Sequence, residues 1–129
     1  NNMKIWVNGT FDVIHRGHVE LLTKASEYGE LIVGIDTDSR VSELKGPTRP
    51  IHSLEDRMYI LSKIEGVHSV VSFGSDEELT QHVKDLAPEY MMVGSDYINK
   101  NVIGSEYAGE LIYFNRIGEY SSTKIMNHE

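Results

Sequence analysis

The 129-residue chain contains no cysteine. Disulfides and thiolate metal sites are therefore excluded, and a cytoplasmic setting is expected. Cations are also in short supply, with 12 Lys and Arg against 20 Asp and Glu for a formal net charge of −8. A chain so acidic lacks the basic field that general nucleic-acid binding needs. Any polyanionic ligand must then be gripped by a local cluster of positive groups. Long hydrophobic runs are missing as well: no stretch approaches the length of a membrane span. No basic segment leads into an apolar one near the N-terminus, so a signal peptide is not expected.

What is present is the composition of a globular protein, 40% hydrophobic and 25% charged. The length suits one domain over residues 1–129. Strand-like runs occur at Lys4 to Asn8, Leu31 to Ile35, Val67 to Phe73, Tyr90 to Val93 and Leu111 to Phe114. Helical patterns separate them. That alternation predicts an α/β fold: a single domain with a mainly parallel five-stranded sheet flanked by helices and right-handed crossovers. Ligands of such sheets sit beyond the carboxyl ends of the strands, where the topology changes direction.

The stretch with most chemistry in it follows the first strand: Gly9-Thr10-Phe11-Asp12-Val13-Ile14-His15-Arg16-Gly17-His18. His18, Leu21, Leu22 and Ala25 then recur at helical spacing, so this loop opens onto a helix N-terminus. Unpaired backbone N–H groups and the positive end of the helix dipole favour phosphate there. Gly9 and Gly17 allow close approach to the main chain. Two imidazoles three residues apart supply donors, cationic when protonated, for charge that builds on a phosphate during transfer.

Further along, Ser53 stands as an N-cap before Leu54, Met58, Leu61 and Ile64, with Asp56 completing a variant capping box. A second capped helix is expected from Ser75 with Glu78 as its partner, ending before Pro88. The segment Lys45-Gly46-Pro47-Thr48-Arg49-Pro50-Ile51 is stiff and bears two cations. It reads either as a solvated loop or as a basic flap. A parallel sheet would gather four pieces at one edge: the His15/His18 loop, the Lys45 to Arg57 segment, Gly94-Ser95-Asp96 and Arg116 to Thr123.

With Gly-Thr-Phe-Asp followed by His-x-Gly-His, and Arg116-Ile117-Gly118-Glu119-Tyr120-Ser121-Ser122-Thr123 about a hundred residues later, the chain resembles the cytidylyltransferase-like nucleotidyltransferase superfamily along nearly its whole length. The resemblance implies a Rossmann-like domain. It also implies transfer of a nucleotidyl group from a nucleoside triphosphate to a phosphorylated acceptor, releasing pyrophosphate. His15, His18 and Arg116 would be catalytic. Gly9, Thr10, Phe11, Gly17, Lys45, Arg57, Asp96, Ser121, Ser122 and Thr123 would bind the nucleotide. Taken alone, Arg57 reads as a salt bridge at a helix start, and the three late hydroxyls as helix caps; the resemblance directs them to phosphates. Magnesium would travel with the triphosphate. Asp12 or Asp96 would touch the ion or the sugar hydroxyls, with Asp12 also a candidate for the acceptor.

Two branches compete. The run Leu44-Lys45-Gly46-Pro47-Thr48-Arg49-Pro50, with Ser53-Leu54-Glu55-Asp56-Arg57-Met58 and Gly109-Glu110-Leu111, is similar to adenylyltransferases acting on heptose 1-phosphate, which favours ATP and a sugar 1-phosphate. Glycerol-3-phosphate cytidylyltransferases match in length and in Arg116, but their Arg-Thr-Glu-Gly order is here Arg116-Ile117-Gly118-Glu119. A non-catalytic nucleotide-binding module is the reading from another class. A homodimer is expected through the apolar region of Val67, Val70 and Val71.

Overall fold

The computed structural model describes residues 3–115. Five strands, β1 (Lys4–Gly9), β2 (Glu30–Asp36), β3 (Val67–Phe73), β4 (Tyr90–Gly94) and β5 (Glu110–Phe114), form one sheet of order β3-β2-β1-β4-β5. Every pairing is parallel. Four helices cross between them: α1 (Arg16–Ser26), α2 (Asp38–Lys45), α3 (Leu54–Ser62) and α4 (Asp76–Leu86). The expected Rossmann-like α/β architecture is present, with strand bounds within a residue of the sequence reading. No helix among the described residues is long and apolar enough to cross a membrane.

Alternation along the central strands divides the core between the two faces. Ile5 and Val7 of β1 join Leu31, Val33 and Ile35 of β2 beneath Leu22, Ala25 and Leu61. Trp6 and Ile32 turn the other way, onto Phe73, Leu79, Val83 and Met91. Successive strand residues point to opposite faces, so helices can cover both. Gly34 is part of this packing. A Cβ there would run into the Trp6 ring and stand 3.3 Å from Phe73 Cε2.

Each helix start carries a side-chain cap. Thr37, Ser53 and Ser75 accept from the backbone N–H groups of Arg40, Asp56 and Glu78. These oxygens satisfy donors that a helix end leaves unpaired. The start of α4 departs slightly from the expected box, because Glu78 Oε1 accepts from Gly74 N rather than from the cap residue. Two short 3-10 turns, Ser95–Tyr97 and Ser105–Tyr107, lie around β4 and β5. One turn is too brief to show a hydrophobic period.

The order β3-β2-β1 runs one way from β1 and β4-β5 the other, so the topology switches between β1 and β4. Loops leaving the carboxyl ends of these strands meet at that point. The fold thereby fixes where a ligand can enter.

Candidate active site

A cavity of about 780 Å³ opens at that edge of the sheet. This is within the range of small-molecule sites. Gly9, Thr10, Phe11, Asp12, His15 and His18 line its centre, Asp36, Arg40, Lys45 and Arg49 one side, and Gly94, Asp96 and Tyr97 the other. Three of the four pieces singled out in the sequence therefore share one cavity. The fourth, with Arg116, Ser121, Ser122 and Thr123, lies outside the described residues.

The loop after β1 is held by its own packing. Phe11 has φ of 51°, a left-handed conformation that is strained for a bulky residue. Its ring is buried and meets His18 edge-on at 5.3 Å. Gly9 accommodates that ring, because a Cβ there would stand 3.1 Å from Phe11 Cε2.

His15 and His18 form a capping box made of imidazoles. His15 is the N-cap of α1, and its Nδ1 accepts from Gly17 N at 3.0 Å. His18 Nδ1 accepts from His15 N at 3.1 Å. The rings lie 3.9 Å apart between centroids. A ring whose Nδ1 accepts a hydrogen bond carries its proton on Nε2 when neutral. Both imidazoles are thereby assigned, by hydrogen-bond geometry, as Nε2–H donors beside the positive end of a helix dipole. Gly17 is buried in the first turn of α1, where it serves this cap rather than the cavity wall.

Asp12 has a different role from the one expected. Only 4% exposed, it accepts from Ile51 N, His52 N and Arg49 Nε. Burial opposes its ionisation, but the His52 and Ile51 amides and the Arg49 guanidinium outweigh that and hold its pKa below the ordinary value. With its oxygens so occupied, Asp12 fastens the segment after α2 to the loop after β1. That segment is thus neither a free flap nor a wholly solvated loop. Lys45, the last residue of α2, reaches the cavity from it.

Arg57 is a correction. The expectation put it against the triphosphate, but its guanidinium is 0% exposed and does not line the cavity. Nε donates to His52 O, Nη1 to Thr10 O and Asp36 O, and Nη2 to Asp38 Oδ1 at 2.7 Å. It staples three chain segments behind the site. The apolar stripe of α3 placed Arg57 on the inward side, yet a capped helix start masked that in the sequence.

The positive cluster is also less positive than expected. Arg49 is paired with Asp12, Arg40 with Asp36 and Asp76, and Arg57 with Asp38. Among the described cavity residues, Lys45 is the cation with no carboxylate partner. Asp36 and Arg40 were not singled out in the sequence. An acidic residue ending the buried run Leu31–Ile35 was the available signal. Arg40 Nε donates to Asp36 Oδ1 at 2.7 Å and Nη2 to Asp76 Oδ1 at 2.6 Å, while Asp36 Oδ2 accepts from Thr10 Oγ1. Burial works against the Arg40 charge, but its bonds to Asp76 and Asp36 prevail and raise its pKa.

No group of three or more His, Asp or Glu among the described residues could hold a metal ion. Asp96, exposed at the cavity, keeps an uncommitted position, whereas Asp12 does not.

The cytidylyltransferase-like family profile matches residues 6–127. The chain is similar to the bifunctional protein HldE of Sulfurimonas denitrificans, 41% identical over 121 residues that cover 93% of this chain and 25% of that protein. A Helicobacter pylori HldE is 45% identical over 112 residues, 85% of this chain and 24% of the relative. The chain therefore spans about a quarter of the length of these relatives. In fold it is similar to a lipopolysaccharide core biosynthesis protein from Thermoplasma volcanium, with a TM-score of 0.73 at 20% identity, covering 92% of this chain and 100% of that one.

Proposed function

Starting from the premise that this chain belongs to the cytidylyltransferase-like family of nucleotidyltransferases, we propose that it transfers a nucleotidyl group from a nucleoside triphosphate to a sugar 1-phosphate. The observation that carries this reading is the imidazole capping box at the start of α1. It presents two Nε2–H donors and a helix N-terminus to one cavity at the switch point of the sheet. The donor favoured is ATP and the acceptor a heptose-like 1-phosphate. Similarity to the HldE proteins over most of this chain supports that pairing, together with the Leu44–Pro50 and Ser53–Met58 segments.

In the reaction, an oxygen of the acceptor phosphate attacks the α-phosphorus, forming a new P–O bond. The bond from the α-phosphorus to the bridging oxygen breaks, and pyrophosphate leaves with that electron pair. Magnesium would enter with the triphosphate substrate, and Asp96, exposed at the cavity, would be placed to meet it. His15 and His18 donate to phosphate oxygens as charge develops, and Lys45 offsets charge between the two anionic substrates. The protein supplies alignment and electrostatic stabilisation with no covalent intermediate. A homodimer remains part of the proposal. The edge strand β3, with Val67 and Val70 half-buried, is the surface on which it rests.

The test mixes the protein with magnesium, each of the four triphosphates and a panel containing heptose 1-phosphate, hexose 1-phosphates and glycerol 3-phosphate, and follows pyrophosphate release. Release with ATP and a sugar 1-phosphate is expected. Turnover of CTP with glycerol 3-phosphate alone would reassign the branch. Nucleotide binding without release under every pairing would make the chain a binding module. His18→Ala is expected to fold and to lose at least about 100-fold in turnover.

A further inference from the structure

Resting on the sugar-phosphate reading above, we infer that Asp36 and Arg40, with the Thr10 hydroxyl, form the subsite that recognises the hydroxyl groups of the acceptor. The cavity spans the ends of the central strands. Gly94, Asp96 and Tyr97 line it after β4. Asp36 and Phe73, the last residues of β2 and β3, line it as well, with Arg40 from α2.

The chemistry around Asp36 and Arg40 distinguishes hydroxyls from phosphate. Arg40 bears one positive charge between the carboxylates of Asp36 and Asp76, so the trio carries a net negative charge and repels an anion. Sugar hydroxyls have no such difficulty, since each can donate to a carboxylate and accept from a guanidinium. Donors and acceptors alternate along the row: Thr10 Oγ1 donates to Asp36 Oδ2, and Asp36 Oδ1 accepts from Arg40 Nε. The Asp36 oxygens retain lone pairs, and Arg40 retains N–H groups beyond the two that bond Asp36 and Asp76.

The row is also rigid. The Arg40 side chain is 13% exposed and its guanidinium lies 5.4 Å from the centre of the buried Phe73 ring. A planar fork held at both ends is oriented before any ligand arrives, so little freedom is lost on binding. Thr10 ties this row to the loop bearing His15 and His18. A sugar ring seated on Asp36 and Arg40 would lie beside the donors that hold the phosphates.

The experiment compares the wild type with Arg40→Met, Arg40→Lys and Asp36→Asn in steady-state kinetics, using ATP with heptose 1-phosphate or glycerol 3-phosphate. For Arg40→Met and Asp36→Asn, kcat/KM for heptose 1-phosphate is expected to fall roughly 30-fold, the equivalent of two lost hydrogen bonds. The KM for ATP should be unchanged. The preference for the sugar over glycerol 3-phosphate, which lacks the ring hydroxyls, should shrink. Arg40→Lys keeps the charge without the fork and should show the same selective loss, which covers the case in which Arg40→Met fails to fold. An equal loss with both acceptors, or a rise confined to the KM for ATP, overturns the assignment. If the wild type turns over no acceptor, the transfer reading has failed, and calorimetric titration of heptose 1-phosphate judges the subsite by itself. Binding that is lost in Arg40→Lys supports the subsite. Equal binding, or none to the wild type, overturns it.

Discussion

Replacing Arg57 with methionine separates a staple from a phosphate ligand. Methionine matches much of the arginine stem but leaves the carbonyls of Thr10, Asp36 and His52 without the donor they have now. Each such carbonyl, cut off from water, costs about 1–1.5 kcal/mol. Asp38, half-exposed, regains water and adds little. The expected loss is therefore about 3–4 kcal/mol, or roughly 15 °C in Tm for a domain of this size. Thermal denaturation by circular dichroism reads it directly. Because Thr10 and Asp36 both line the cavity, turnover should fall too, and more steeply as temperature rises toward the lowered Tm. A phosphate ligand would behave in the opposite way: Tm would hold or rise, since removing a buried unpaired charge relieves the fold, and the KM for the triphosphate would climb. Arg57→Met with wild-type Tm and a raised triphosphate KM would refute the structural reasoning.

Two further substitutions probe the frame. Asp12→Asn removes a carboxylate whose pKa is lowered in the fold, so its contribution is present above the ordinary carboxylate range and is lost as pH falls through the folded value. The variant should be less stable by about 2 kcal/mol at pH 7. That gap should narrow in melts taken at progressively lower pH below about 4; a gap independent of pH would contradict the assignment. Gly34→Ala forces a methyl group into the Trp6 ring, which is buried and has nowhere to move. A loss of about 2–3 kcal/mol by urea denaturation is expected, and a neutral result would show that the sheet yields there.

Much of the frame was legible in the chain because it rests on local signals. β1 and β2 are continuous apolar runs, as strands covered on both faces must be, and Ser53 and Ser75 announce their helices by cap chemistry. The His15/His18 loop was legible for the same reason: strand, glycine and helix start are neighbours in sequence. What was not legible depends on contacts between distant segments. Asp12 and Arg49 are 37 residues apart, and Arg40 and Asp76 are 36. Neither pairing leaves a periodic trace. Arg57 shows the limit most clearly, since a helix pattern states which face is buried but not whether an arginine on it meets a ligand or a row of carbonyls.

The same contacts bear on how so acidic a protein would hold the polyanions of the proposed reaction. A net charge of −8 invites a search for surplus cations, yet most arginines of this region are matched to aspartates. An unpaired buried guanidinium would be costly, and the pairings remove that cost while locking the loops. On the proposed reading, phosphate attraction would then fall to Lys45 and to groups that carry no formal charge, the two imidazole Nε2–H donors at the positive end of the α1 dipole, because the backbone N–H groups of that helix start are taken up by the cap. Such donors are short-ranged and directional. They stabilise an anion only where it is correctly placed, which suits a reaction whose catalysis consists mainly of placement. Binding through them should also depend less on ionic strength than binding through a basic patch, because screening acts on long-range charge and leaves hydrogen bonds at contact largely intact.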